Sequence, residues 1–528
     1  MPQPKYRIAL LVDGLDVPLW VRDLADWAIA HAAIELSALI VAPPPRSDAL
    51  GRLLKLEKRF LCGRHEYRAY NALHSIADRA PAFGVNEIEG LQFDAIVRCG
   101  RAGPTAAMME SSNDGVLSIT ADGFGEVLEG RPDTPFTIER LGKDGKAEAL
   151  FNGSVATALL YSWNVISLQA RAFPYLRKTL EHLAAGNVLA KAVPPASIEQ
   201  INATNLLAYG VKSVRRSMSK ALRRLLRKDF NWQVAFAHQR WSGCSFSEAT
   251  VVPNPPNAFL ADPFTIMVRG VTYLFVEEFP FDTRKGVISA YRLVGDQAER
   301  IGVVLEEPWH LSFPFVFEHK GEVYMVPEGG GGRSVKLFKA SSFPTGWTEV
   351  KTLLADVPAV DTTIFEHDSR WWMLTSIQGD GPGLNNAELH AFYADDPLGD
   401  WTPHSQNPIV MDARKGRNGG FVRDREGRPH RVSQATAFTF YGAGSAVHQI
   451  DELTPETYRE TLVREVRPTF FPNLNGTHHI HDVGGITAFD FMRVERSRNN
   501  ASWRVGPSKF ISSKFRSRPS QPTSLSYS

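Results

Sequence analysis

A chain of 528 residues exceeds what one hydrophobic core supports, so two to four domains are expected. With 43% hydrophobic and 22% charged residues and a formal net charge of +2, the composition is that of an ordinary globular protein, and nothing in it calls for a nucleic-acid partner. The three cysteines, Cys62, Cys99 and Cys244, are odd in number and widely spaced; this excludes a disulfide framework and a CxxC metal site and fits a reducing, cytoplasmic setting.

The first apolar run, Tyr6–Val12, is closed by Asp13-Gly14 and broken again by Asp16, with no small-residue cleavage site after it. It reads as a β-strand and not as a signal peptide. A helix is expected from about Pro18 to Ala33, then a strand over Ser37–Ala42 stopped by three prolines, and a further strand over Asp94–Arg98 ending at Cys99-Gly100. Residues Leu159–Leu189 read as largely helical. Strands alternating with helices predict a Rossmann-like α/β domain with a parallel sheet over residues 1–205. Asp13, Gly14 and Gly100 would line a crevice at the carboxyl ends of its strands. No GxGxxG is present, so a dinucleotide is not expected by that route and no cofactor is predicted.

Residues 206–229 form a basic helical linker. Within it VKSVRRSMSKALRRLLRK places Val214, Met218, Ala221, Leu222 and Leu225 at helical spacing. Two readings stand: a solvated helix between domains, or an interfacial helix that touches an anionic membrane surface through Lys212–Lys228. No segment reaches 18 uninterrupted apolar residues, so no span is expected. The Ser-, Arg- and Pro-rich tail, 498–528, is expected to be disordered.

Between these segments, over residues 230–497, one pattern occurs five times. Its copies are LADPFTIMVRGVTYLFVEE (260–278), SFPFVFEHKGEVYMVPE (312–328), VDTTIFEHDSRWWMLTS (360–376), NGGFVRDREGRPHRVSQ (418–434) and GTHHIHDVGGITAFD (476–490). Each is an apolar strand, a short polar turn and a second apolar strand, and the copies recur about every 50 residues, the size of a propeller blade. The chain is therefore expected to be multi-domain, α/β followed by an all-β five-bladed β-propeller. Innermost strands line the central channel, so their first residues, Asp262, Pro314, Asp361, Asn418 and Thr477 with His478, face the funnel. At the ends of the second strands stand Glu277, Glu328, Ser376, Gln434 and Asp490. Turn chemistry is the plain alternative for such acids. His478, His479 and His481 alternate along one strand, so they cannot all face one metal ion, and no metal is predicted.

Asn257–Phe264 (NAFLADPF) resembles the first-blade motif of glycoside hydrolases of families 43 and 32, and Ala394–Trp401 (ADDPLGDW) resembles a loop of theirs. More closely, EEPWHLSFPFVFEHKGEVYMVPE together with VDTTIFEHD resembles the propeller of plant glucosamine inositolphosphorylceramide transferases and bacterial proteins that share it. The hydrolase likeness implies Asp262 as base or nucleophile and Asp361 as the supporting aspartate. The acid those enzymes carry on a later strand falls at Asn418, which makes Glu328 the substitute and favours binding or transfer over hydrolysis. Trp309 lies in the plant-like stretch and Arg333 follows Gly329–Gly332. Both join Glu277, Asn418, Gln434 and His478 as expected substrate contacts. The plant proteins' separate glycosyltransferase domain is not found in this sequence.

Residues 115–152 resemble the back half of formyltransferase catalytic domains, through Gly125–Gly130, Thr134–Thr137 and the turn at Asp144-Gly145. Thr120 and Ala121 stand where that family has its catalytic histidine, which implies a degenerate domain. The resulting expectation is a bacterial, cytoplasmic carbohydrate-active enzyme, placed peripherally at the inner membrane. It would act on a glycan, glycolipid or nucleotide sugar in cell-surface polysaccharide or glycolipid assembly. Formyl transfer onto an amino sugar and a non-catalytic glycan-binding scaffold are the alternatives.

Overall fold

The computed structural model describes residues 4–43, 49–63, 65–121, 123–187, 203–225, 228–330, 333–379, 381–384 and 387–496. The expected disordered tail lies outside them, as do two of the glycines after Glu328. The chain forms two compact units, residues 1–216 with 380–383 and residues 217–379 with 384–528, the division falling inside the basic helix.

The N-terminal unit is built on a seven-stranded sheet in the order Ala82–Gly84, Ile34–Val41, Tyr6–Val12, Ala95–Arg98, Val116–Thr120, Asp133–Leu141 and Ala147–Ala156. The apolar runs read from the sequence occupy its centre, where Ile8–Leu11 are fully buried. The helix Leu19–Ala30 buries Trp20, Val21, Leu24, Ala25 and Ala28, a one-sided pattern at helical spacing. The long helix expected near 159–189 spans Tyr161–Ala184. The first five strands of the sheet pair in parallel, as expected of an α/β domain, and the last two add to it by antiparallel pairing. Asp144-Gly145, with Gly145 at φ 72°, turns them into a hairpin, and so tight a link cannot make the crossover a parallel pair requires.

The C-terminal unit carries a propeller of five blades, four of them four-stranded and the third with two short strands, Thr402–Pro403 and Val410–Met411, sharing its outermost position. In the first four the strands follow in chain order from the innermost outward, starting at Ala258–Val268, His310–His319, Ala359–His367 and Asn418–Arg423. Alternating apolar residues pack each blade on its neighbours, with Phe264, Phe275, Phe313, Phe338 and Trp372 in the shared core. Four blades join their two inner strands by two-residue turns with both residues at positive φ: Arg269-Gly270, Lys320-Gly321, Asp368-Ser369 and Gly484-Gly485. Turns of that hand match the right-handed strand twist. The fifth blade is composite. Its inner strands, Ile480–Val483 and Ile486–Arg496, come from the C-terminal end, and its outer strands, Lys228–Ala237 and Thr250–Val252, precede blade one. Lys228 thus opens a strand of the propeller; the helix before it spans Ala203–Leu225.

Each innermost strand of the first three blades carries a bulge near its start, between Ala261 and Phe264, Ser312 and Phe315, and Val360 and Thr363. The residues inside these bulges, Asp262, Phe313 and Asp361, have φ of 50°, 47° and 54°. The second-blade counterpart of the two aspartates is therefore Phe313, not Pro314. A bulge adds a residue to one strand, so strict alternation misplaces the position by one. Left-handed backbone in non-glycine residues costs of order 1–3 kcal/mol each, so the surroundings must impose it.

Candidate active site

The bulges re-aim Asp262 and Asp361 at the point where the innermost strands begin, and Glu277 and Glu328 stand beside them at the ends of the second strands of blades one and two. Glu277 is opposite Ala261 and Glu328 opposite Ser312. Asp262 accepts the backbone N–H of Phe313 at 3.2 Å, and its other oxygen lies 3.2 Å from His478 Nε2. The second ring nitrogen of His478 lies 2.7 Å from Asp490, whose carboxylate also accepts the N–H groups of Asp262, His478 and His479. Trp232 packs on the imidazole with ring centroids 4.0 Å apart. Burial alone would lower the pKa of His478, but Asp490 and Asp262 outweigh it and hold the pKa up to about 10.

On the other side, Arg417 Nε donates to Asp361 at 2.6 Å and Gln434 donates to the same oxygen at 3.1 Å. Asn418 donates to the carbonyl of Asp361 at 2.8 Å and to the hydroxyl of Thr363 at 3.1 Å. Burial acts against the charge on Arg417, yet Asp361, Tyr441 and Glu328 keep it cationic. Its guanidinium stands over the ring of Tyr441 at 4.3 Å.

Glu328 links the two halves. It shares a hydrogen bond with Asp361, and burial, followed by the charges of Asp361 and Asp262, pushes its carboxyl well above the usual range against the pull of Arg417. Glu277 is raised in the same direction by burial, then by Asp262 and Glu328. Beside it, His310 Nε2 lies 3.5 Å from Glu277, and burial lowers the pKa of this imidazole to about 4. The site therefore sets hydrogen-bonded carboxyl groups beside two whose pKa values burial and neighbouring charge raise, an arrangement suited to proton donation beside a base or nucleophile.

The structure thus brings together Asp262, Glu277, Glu328, Asp361, Asn418, Gln434 and His478. The two remaining expected contacts, Trp309 and Arg333, have these neighbours. Trp309 lines a cleft with Leu311, Pro327, Gly329 and Phe338, and the Lys336 ammonium covers its ring at 4.8 Å. Arg333 donates to the carbonyl of Asp356 at 3.0 Å. Arg417, Tyr441 and Trp232 were not singled out from the sequence. Arg417 directly precedes Asn418, so its place beside a blade start was the one available signal.

Asp262, His478 and Asp490 each offer one donor atom within 4.8 Å of the others, close enough for a cation to bridge. Both nitrogens of His478 already face carboxylates, as in an imidazolium between two anions, whereas a metal ligand must be neutral. His481 accepts the N–H of Thr265 at 3.1 Å, and His479 packs edge-on against Phe264 and Phe313. Burial lowers His481 to about 3 and, with neighbouring histidines, carries His479 well down.

Residues 240–472 match the family described as glucosamine inositolphosphorylceramide transferase 1, N-terminal. The propeller is similar to that region. Proteins named glucosamine inositolphosphorylceramide transferase 1 are 37% identical in Oryza sativa subsp. japonica and 38% identical in Arabidopsis thaliana, each over 212 residues and 39% of this chain. The chain spans about 28% of the length of these transferases. Among solved structures, a thermostable family-43 glycoside hydrolase is 12% identical, with 40% of this chain and 76% of that one covered and a TM-score of 0.31. The catalytic domain of the Coprinopsis cinerea GH62 alpha-L-arabinofuranosidase is 11% identical, covering 46% and 93%, with a TM-score of 0.34. At these scores the propeller assignment rests on its own strand order.

The match to the transferases begins at residue 240, beyond the N-terminal sheet. In that sheet the hydroxyl of Thr120 donates to Glu139 at 2.8 Å. Formyl transfer onto an amino sugar gains no support.

Proposed function

We propose that the propeller funnel binds a glycosyl unit of a glycolipid or glycan and transfers or cleaves it. The observation that carries this reading is the convergence of carboxyl groups from three blades, with the carboxyl of Glu328 raised by burial and by Asp361 and Asp262. Asp262 acts as base or nucleophile, Glu328 as proton donor, and Asp361, fixed by Arg417, Gln434 and Asn418, as the group that sets their geometry. The similarity to proteins named glucosamine inositolphosphorylceramide transferase 1 directs the substrate search to inositolphosphorylceramides and to glucosamine as the sugar.

The test is binding and turnover on a panel of glycolipids, oligosaccharides and nucleotide sugars. Asp262→Asn and Glu328→Gln should keep binding and each lose turnover by about 10²–10⁴-fold. Wild-type turnover that survives both substitutions overturns the assignment.

A scaffold that holds a glycan without reacting it is the second reading. It is favoured by the burial of Asp262 and Asp361, 5% and 3% exposed, and by the contacts each makes to the next blade. Saturable glycan binding with no wild-type turnover on any donor would select it.

A further inference from the structure

The helix Ala203–Leu225 has two unlike faces. One packs on the N-terminal unit. Tyr209 is buried, its hydroxyl donates to Glu57 and accepts the N–H of Tyr161, and Ser213 is buried one turn on. Arg216 donates to the carbonyls of Val127 and Leu128 at 2.5 and 3.1 Å. The opposite face carries Leu207, Val211, Val214, Met218 and Leu222, which are 72, 62, 60, 67 and 53% exposed. At about 100° per residue these five fall within roughly 80° of arc, a straight apolar stripe about 22 Å long. The sequence alone showed the second half of this stripe; that Leu207 and Val211 extend it follows from Tyr209 and Ser213 being turned inward.

Charge decides what covers it. The helix contains six Lys and Arg residues and no Asp or Glu. A second copy laid along the stripe would set like charges against each other with no acid to offset them. An anionic surface meets the same charges favourably, and Lys212 and Arg215 stand exposed along one border of the stripe. Among the described residues no helix is long and apolar enough to cross a membrane, so this one would lie in the plane of the headgroups. We propose that Ala203–Leu225 is an interfacial anchor that lays its Leu207–Leu222 stripe into a bilayer containing anionic phospholipid. The inference is independent of the funnel chemistry.

The experiment is flotation of the full-length protein with vesicles of phosphatidylcholine alone or with roughly one-third phosphatidylglycerol. Wild type should float with the anionic vesicles and at least tenfold less with the neutral ones, and should detach as salt rises from about 0.1 M to about 1 M. The triple variant Val211→Ser, Val214→Ser, Met218→Ser should lose at least tenfold in partitioning with an unchanged circular dichroism spectrum. Lys212→Glu with Arg215→Glu should weaken only the anionic component. The proposal fails if wild type ignores anionic vesicles or if the triple variant floats as well as wild type. It also fails if sedimentation shows a wild-type dimer that the triple variant abolishes, because a second copy then owns the stripe.

Discussion

His478 sits between two aspartates, 3.2 Å from Asp262 and 2.7 Å from Asp490, and its charge is part of how the funnel holds together. Its pKa in the fold, about 10, lies above its ordinary value of 6.5, so its contribution to stability is complete below 6.5 and is lost as pH rises through 10. Thermal melts of wild type should therefore fall off as pH rises from about 6.5 to about 10, whereas His478→Gln should melt lower below that window and lack that fall. Glu328 gives a second pH signature. Because burial and Asp361 raise its carboxyl, activity that requires its proton should decline as pH rises, and Glu328→Gln should remove that alkaline limb together with most of the rate, read from kcat/KM against pH. Asp262 and Glu328 are readable as candidates because one opens and the other closes a strand in a repeated pattern. Arg417 and Tyr441 are not, since neither occupies a repeated position and their value lies in the partners they meet across blades.

At the level of one element, blade four carries a buried ion pair that the repeat pattern does not announce. Arg431 reaches both oxygens of Glu460 at 2.9 and 2.8 Å, and Tyr458 donates to the same carboxylate at 2.6 Å. Burial alone would raise Glu460, but Arg431 prevails and brings it down to about 2. Glu460→Gln leaves the guanidinium buried without its counter-charge and should cost about 3–5 kcal/mol in denaturant unfolding. Acid acts in the matching direction: the contribution of Glu460 is full above its ordinary 4.5 and disappears as pH falls toward 2, so the variant should lose less stability across that window than wild type. Arg431 lies inside the fourth copy of the repeat, on its second strand, Pro429–Ala437. Nothing in alternation says that an inward position holds a charge, because the partner comes from a strand 29 residues later.

For the whole molecule, closure of the propeller depends on two segments far apart in the chain. Lys228–Ala237 pairs with Ile486–Arg496 along ten residues, and the fifth blade exists only when both are present. Truncation at residue 485 should abolish cooperative unfolding of the propeller and leave it open to limited proteolysis, since an open sheet edge and one face of the core would be exposed together. The sequence by itself determined the blade repeat, the hairpin turns and the central strands of the α/β sheet. Those follow from side-chain alternation and turn chemistry, which act over a few residues. Only the tertiary structure decided that the first strand of the propeller completes its last blade, that bulges turn Asp262 and Asp361 to face partners on neighbouring strands, and that the basic helix shows solvent its apolar side. Each of these depends on groups brought together across tens to hundreds of residues, and spacing along the chain carries no record of such meetings.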